Sequence, residues 1–386
     1  MSVDAPVAAI FRPAWAEIDC SALAHNVKTL LGHVAPSELC AVVKADGYGH
    51  SAVVVAEEVL RAGATRLAVA LVEEGLVLRE AGIKAPILLL SEPRPQAMHA
   101  CVANDITPTL YSIDGIIGAH NAAHTLGARV GVHLKIDTGM HRVGADPQDA
   151  LGLARLIIES EALELEGIWT HLSVADAPDD PYTGVQIALF DATVKALEVH
   201  GITAPIIHLA NSAAAIARPD ARRDWVRCGI ALYGYLPAPE LKGSLAQELE
   251  PVLSLKAQVI LVRTLDAGER PSYGRRRALE QESDIAVVPL GYADGLPRQL
   301  GESGGEVLIR GRRRRIIGNV TMDQIMIDCG SIGEIVAGDE VVLLGHQGGE
   351  CISAEEWAER IGTISYEILC AIGPRVPRVV IHDRRS

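Results

Sequence analysis

The chain has 386 residues and a formal net charge of −14. That length suits two to three domains, or one barrel plus a further unit, with ample chain for a core. The acidic balance argues against a nucleic-acid partner, which wants a basic face, and no apolar run reaches the roughly 18 residues of a membrane helix.

Residues 1–13 lack the basic start and long apolar run of a secretory leader. The seven cysteines are dispersed, with no Cys-x-x-Cys pair. Together these features read as a cytoplasmic protein with reduced thiols, without a disulfide framework or a metal site.

In chain order, residues 15–18 read as a strand, followed by a helix with Asp19 or Ser21 as N-cap and an apolar stripe through Leu23, Val27 and Leu30. Short apolar runs then alternate with amphipathic stretches. Eight runs qualify as strands: 40–43, 67–71, 87–90, 107–110, 130–136, 167–172, 206–209 and 226–230. Helical patterns at 53–62, 73–81, 148–159 and 185–200 lie among them. Eight such repeats are the sequence form of an α/β fold, the (β/α)₈ TIM barrel. After about Pro237 the pattern changes to glycine-bounded β runs at 253–262, 285–290, 306–309, 315–320, 324–328 and 340–344. Two helices, 353–361 and 365–370, interrupt them, the first with Ser353 and Glu356 as a capping box. The expected organisation is an N-terminal segment 1–19 whose strand joins the C-terminal part, a barrel over 20–240, and a mainly β domain over 241–386.

Catalytic groups of a barrel gather at the C-terminal ends of its strands. Lys44 ends the first strand, Lys135 lies near the end of the fifth with Arg142 in the loop beyond, and His171 ends the sixth. Asn211 and Ser212 follow the seventh, and Arg227 lies in the eighth, beside Gly229 and Ile230. A lysine buried at a strand end has a lowered pKa and serves as an amine nucleophile or base, unless it simply reaches solvent. The small residues Asn211-Ser212-Ala213-Ala214 open a helix, either as an ordinary cap or as an anion site; Gly229-Ile230 offers two further amides. Arg227 could equally pair with an acidic neighbour. The runs Arg275–277 and Arg312–315 each read as a solvated turn or strand edge.

The motif Val42-Val43-Lys44-Ala45-Asp46-Gly47-Tyr48-Gly49-His50 resembles the cofactor-lysine motif of the alanine racemases, enzymes that use pyridoxal 5'-phosphate (PLP) on a barrel with a second, β-rich domain. The resemblance runs from Ala14-Trp15-Ala16-Glu17-Ile18-Asp19 to Arg375-Val376-Pro377-Arg378, with Val226-Arg227-Cys228-Gly229-Ile230, Pro271-Ser272-Tyr273-Gly274, Gly291-Tyr292-Ala293-Asp294-Gly295, Met322-Asp323 and Ile364-Ser365-Tyr366-Glu367 in the family's order. It implies that Lys44 bonds the cofactor and acts as one base, and that Tyr273 is the second, supplied by the partner subunit of a homodimer. A phenol near pKa 10 needs a nearby cation for that, and the resemblance implies that His171 and Arg227 supply part of the network. Tyr48, Asn211, Ser212, Gly229, Ile230 and Tyr366 would surround the cofactor's phosphate end. Arg227 would face its ring nitrogen, and because a guanidinium keeps its proton the ring stays a weaker electron sink, which suits racemisation. Arg142, Met322, Asp323 and Tyr292 would line the substrate side, and Lys135 matches a lysine that is often carbamylated.

Two positions depart from the family pattern: Asn319 stands where an arginine is common near the access corridor, and Val380 where an aromatic residue is usual. The implied activity is the interconversion of L-alanine and D-alanine, supplying D-alanine for peptidoglycan. Rivals are a broad-specificity amino-acid racemase, a PLP decarboxylase on a similar barrel, and a non-catalytic PLP-binding protein. Arg227 and the Gly-Tyr-Ala-Asp-Gly motif speak against the decarboxylase; residues 240–386 and Tyr273 speak against the binding protein.

Overall fold

In the computed structural model, residues 11–382 are described, except 242, 244, 246, 247, 331 and 332. The leader reading of residues 1–13 therefore falls largely outside them. The chain forms two compact units: one of Ala22–Gly47 and Ala52–Glu250, the other of the chain up to Ser21, Tyr48–Ser51 and the part from Pro251 onward.

The second unit takes in β1 (Ala14–Asp19), whose partners come later. The first unit is built on short parallel strands: β2 (Glu38–Val42), β3 (Arg66–Val69), β4 (Ile87–Leu89), β5 (Ile106–Thr107), β6 (Thr109–Leu110), β7 (Val130–Lys135), β8 (Leu163–Trp169), β9 (Ile206–His208) and β10 (Trp225–Cys228). They pair in the orders β10-β2-β3-β4-β5 and β6-β7-β8-β9, with neighbours parallel. β5 and β6 are one strand divided at Pro108, whose missing N–H breaks the ladder while its carbonyl still accepts from His133. Asp224 N donates to Ile207 O and Arg227 N to Ala210 O, joining β9 to β10 and closing the ring. The result is the expected eight-position barrel. Its strands are almost wholly buried because helices cover a parallel sheet. β8 starts four residues before the expected run, since Leu-Glu-Leu-Glu alternates rather than running apolar.

The helix Cys20–Val34 begins after Asp19, whose Oδ1 accepts from the amide and hydroxyl of Ser21, so the cap is Asp19. Leu23, Val27 and Leu30 are fully buried. Asn26 of that helix donates to the carbonyls of Leu232 and Glu250 and accepts from Glu250 N, which ties Glu250 to the barrel unit.

The second unit carries β11 (Leu253–Gln258), β12 (Leu261–Leu265), β13 (Ser283–Val288), β14 (Glu306–Ile309), β15 (Arg312–Ile316), β16 (Ile325–Asp328), β17 (Glu340–Gln347), β18 (Glu350–Ile352) and β19 (Arg378–Ile381). One sheet runs β12-β13-β16-β15-β14-β17-β11-β1-β19, with β18 on β17. β1 is antiparallel to β11 and parallel to β19, where Val380 stands opposite Ile18.

Two expectations are corrected here. The run Arg312–315 is an interior strand between β14 and β16. Arg312 and Arg315 are exposed, and the two between them are paired: Arg313 bonds Glu306, Glu350 and Glu356, and Arg314 bonds Glu334. For the same reason the capping box is one-sided. Ser353 Oγ accepts from Glu356 N, but the Glu356 carboxylate is taken by Arg313 and Arg360.

Candidate active site

β2 ends at Val42, and Lys44 opens a turn rather than closing a strand. Ala45, Asp46, Gly47 and Tyr48 all have φ between 52° and 63°, a left-handed turn that is sterically costly for the three non-glycine residues. It persists because its ends are tied down. Glu74 Oε1 accepts from Ala45 N, Asp46 Oδ1 accepts from Ala52 N, and Gly47 N donates to Val43 O. Lys44 is half-buried.

Lys135 ends β7 and is only 4 % exposed, with its Nζ 4.3 Å from the centre of the Trp169 ring. Burial, then the charges of Arg227 and Arg142, push its amine down to about 7, with Asp137 opposing and Lys44 adding to the shift. The loop beyond winds on Asp137. Burial alone would raise that carboxyl, but Oδ1 accepts from the amides of Gly139, Met140 and His141 and holds it below the usual range. The loop carries the exposed Arg142. His171 lies just past β8 and is kept neutral by burial and by the charges of Arg227, Lys135, Arg142 and Lys44.

Arg227 is 3 % exposed and sits in β10. Nη2 donates to Thr170 O and Leu209 O and lies 3.4 Å from His171 Nδ1; Nη1 donates to His208 Nδ1 at 2.9 Å. None of these acceptors is a carboxylate, so the acidic-neighbour alternative is set aside. Burial lowers Arg227 to about 10, which leaves it a cation at neutral pH.

His133 and His208 were not singled out from the sequence. Arginine can only donate, so His208 Nδ1 accepts, its proton lies on Nε2, and that nitrogen donates to His133 Nδ1 at 2.9 Å. His133 then holds its proton on Nε2, 3.9 Å from Glu166. Burial, with Arg66 and Arg227, lowers His133 to about 3, so both imidazoles are neutral. Gly167 makes room for this chain: a Cβ there would meet the His133 ring at 2.4 Å. The available signal was a polar residue inside an apolar barrel strand, Val-His-Leu and Ile-His-Leu.

Asn211 caps the helix Ser212–Ala217 through Ala214 N. Ser212 Oγ accepts from Gly229 N at 2.9 Å. The expectation of open amides is thereby corrected in part: those of Ala214 and Gly229 are engaged by side chains. The amides of Ser212 and Ala213 are the ones helix geometry leaves without an intrahelical acceptor, and the Ser212 hydrogen remains available to donate. Ile230 begins a short 3-10 turn.

The other sequence-named residues belong to the second unit. Tyr48 and Tyr366 have ring centroids 6.1 Å apart. Arg378 donates to Gly49 O and also to the carbonyls of Ile372, Gly373 and Val376, tying the segment after Tyr48 to the helix Ser365–Ala371. Gly49, with φ 80°, allows this, since a Cβ would lie 2.4 Å from Leu369 O. Asp294 of the Gly-Tyr-Ala-Asp-Gly motif is buried, accepting from Gly291 N and facing Arg12 and Arg375. It fixes the turn that bears the half-exposed Tyr292. Tyr292 N and Ala293 N donate to the carbonyls of Thr321 and Met322, so this turn and the Met322-Asp323 turn are joined. The Asp323 carboxylate is engaged by Arg375 at 2.7 Å. Tyr273 stands in a turn and is 74 % exposed.

Two family descriptions match the chain: "Alanine racemase, N-terminal domain" over residues 18–237 and "Alanine racemase, C-terminal domain" over residues 252–380. The chain belongs to the alanine racemase family. It is 45 % identical over 374 residues to the alanine racemase of Desulforamulus reducens, covering 96 % of this chain and 99 % of that one. Among solved structures, the alanine racemase of D-cycloserine-producing Streptomyces lavendulae superposes with a TM-score of 0.91 at 37 % identity, covering 97 % and 98 % of the two chains. That of Bacillus anthracis with bound L-Ala-P gives 0.90 at 38 % identity, covering 97 % and 96 %. Membership makes the chain an isomerase of the amino-acid racemase type, with the family's α/β barrel and mostly β domain. No helix among the described residues is long and apolar enough to cross a membrane.

The family implies pyridoxal phosphate, and the residues present fit it. A half-buried lysine, a buried arginine with no carboxylate partner, and a helix start lined by Ser212 and Ala213 all belong to the C-terminal ends of the barrel strands. These suit, in turn, an aldehyde carbon, an unprotonated ring nitrogen and a phosphate.

Proposed function

We propose that this racemase interconverts L-alanine and D-alanine with pyridoxal phosphate, by two bases, Lys44 and Tyr273. The observation that carries the reading is Arg227: a buried guanidinium held by carbonyls and neutral imidazoles, kept charged, with no acid beside it. When bound, the cofactor supplies an electron sink that acidifies the α-proton of an amino acid. Arg227 cannot surrender a proton to it, which keeps that sink weak and favours quick return of the proton over transamination.

Lys44 Nζ would hold the cofactor's aldehyde carbon, and its amine is the group that takes or returns the α-proton on one face. Tyr273 Oη does the same as the second base, because two fixed groups invert a centre without a swinging side chain. Ser212, the amides of Ser212, Ala213 and Ile230, and the hydroxyls of Tyr48 and Tyr366 hold the phosphate, with Asn211 and Gly229 bracing Ser212 and the helix start. His171, neutral, offers its Nε2–H to the network around the second base. Arg142 and the Met322 amide hold the substrate carboxylate side, Asp323 steadies that turn through Arg375, and Tyr292 lines the access. Lys135 is carbamylated. Its amine is neutral enough near pH 7 to add carbon dioxide with release of a proton, and the resulting anion turns repulsion from Arg227 and Arg142 into attraction. The assembly is a cytoplasmic homodimer with Tyr273 serving the partner's site, and its D-alanine feeds peptidoglycan.

The test is a proton NMR time course of L-alanine in D₂O with purified protein and pyridoxal phosphate. Loss of the α-proton signal together with decay of optical rotation is expected. Lys44→Ala and Tyr273→Phe should each slow it by ~10³-fold or more. Unchanged alanine, with exchange of serine or lysine instead, would move the assignment to another amino acid.

A further inference from the structure

Tyr273 is 74 % exposed, yet a second base must be held in one place to work. Its turn is also locally strained: the non-glycine residues Ser272 and Arg275 have φ of 74° and 45°. Something must therefore hold the turn besides its own backbone preference.

The holding group lies 46 positions away. Asn319 is only 5 % exposed, and its Nδ2 donates to Tyr273 O at 2.9 Å. Ser272 Oγ donates back to Asn319 O at 3.0 Å. The amide orientation is forced, since a flipped Asn319 would set oxygen against the Tyr273 carbonyl. Gly318 allows the approach: a Cβ there would lie 2.3 Å from Ser272 Cβ and 2.9 Å from Pro271 O. The two segments thus grip each other at adjacent residues, one bond in each direction.

We infer that Asn319 is the positioning residue for the second base, acting through the Tyr273 carbonyl rather than on substrate. This rests on the reading of Tyr273 as a base. Removing the clamp leaves the phenol present but free to wander, so proton transfer at that base slows while transfer at Lys44 does not.

The test uses the holoenzyme with Asn319→Asp, which keeps the shape and loses the donor, and Asn319→Ala. Both should lower kcat/KM about tenfold with little change in KM. With α-deuterated substrate, the isotope effect should rise for one enantiomer only. Combined with Tyr273→Phe, neither change should cost anything further, because the residue it acts through is gone. The inference is overturned if Asn319→Asp is kinetically silent, if the isotope effects of both enantiomers shift equally, or if its loss adds fully to that of Tyr273→Phe. Full activity of Tyr273→Phe by itself would instead overturn the two-base reading, and this inference with it.

Discussion

Arg227 Nη1 and His208 Nδ1 lie 2.9 Å apart inside the barrel, and that one bond assigns the protons of two histidines. The guanidinium donates, so His208 must accept on Nδ1 and donate from Nε2 to His133. The charge of Arg227 is thereby steadied by a neutral chain.

His208→Leu should be costly for this reason. It leaves a buried guanidinium nitrogen and His133 Nδ1 without partners, for about 3 kcal/mol. Urea unfolding of the two proteins would measure it; a loss below about 1 kcal/mol would mean that water or repacking replaces the imidazole.

Lys135 sets a pH dependence whose sign follows from its lowered pKa. Below about 7 the amine is protonated whether the chain is folded or not, and the full cost of the buried cation is present. Between there and the unfolded value near 10.4 the folded chain carries fewer protons, so stability rises with pH. In carbon-dioxide-free buffer, Lys135→Met should be more stable than the parent at pH 6–7, and the difference should shrink toward pH 10. Parallel melting curves at all pH values would contradict it.

Arg378 reaches four carbonyls with its planar fork, which a lysine cannot do. Arg378→Lys should cost about 2 kcal/mol and weaken retention of pyridoxal phosphate, since Tyr48 and Tyr366 flank the segment it ties. Release of the cofactor during dialysis, followed by absorbance, checks this against the parent.

Shared sites make a simple mixing prediction. If Tyr273 serves the partner's Lys44, dissociating and recombining inactive Lys44→Ala and Tyr273→Phe proteins should restore about a quarter of parental activity, because half the dimers are mixed and each has one intact site. A mixture that stays inactive although mixed dimers form would place both groups in one subunit's site.

The barrel was legible because a parallel sheet buried on both faces demands continuous apolar runs, and eight of them recur between helical patterns. Lys44, Lys135, His171 and Arg227 stood out because ionisable groups at strand ends break such runs. His133 and His208 did not. Each is a single imidazole inside an apolar run, and only their mutual 2.9 Å contact gives either a role. The arginine run at 312–315 misled for a related reason. Charge alone suggests a solvated edge, which holds for the exposed Arg312 and Arg315, but Glu306, Glu334, Glu350 and Glu356 pair with Arg313 and Arg314 in an interior strand.

By itself the sequence determined the periodicities, and hence the element types, the barrel-then-β order and the residues able to do proton chemistry, because those depend on local spacing and side-chain type. Tertiary structure alone decided the state and restraint of those groups. It made Lys135 a near-neutral amine by burial among cations, made His208 an acceptor by setting Arg227 against it, and engaged the Gly229 amide with Ser212. It also handed the grip on Tyr273 to Asn319, 46 residues away. Desolvation and hydrogen-bond direction arise between segments that only folding brings into contact, so no spacing along the chain encodes them.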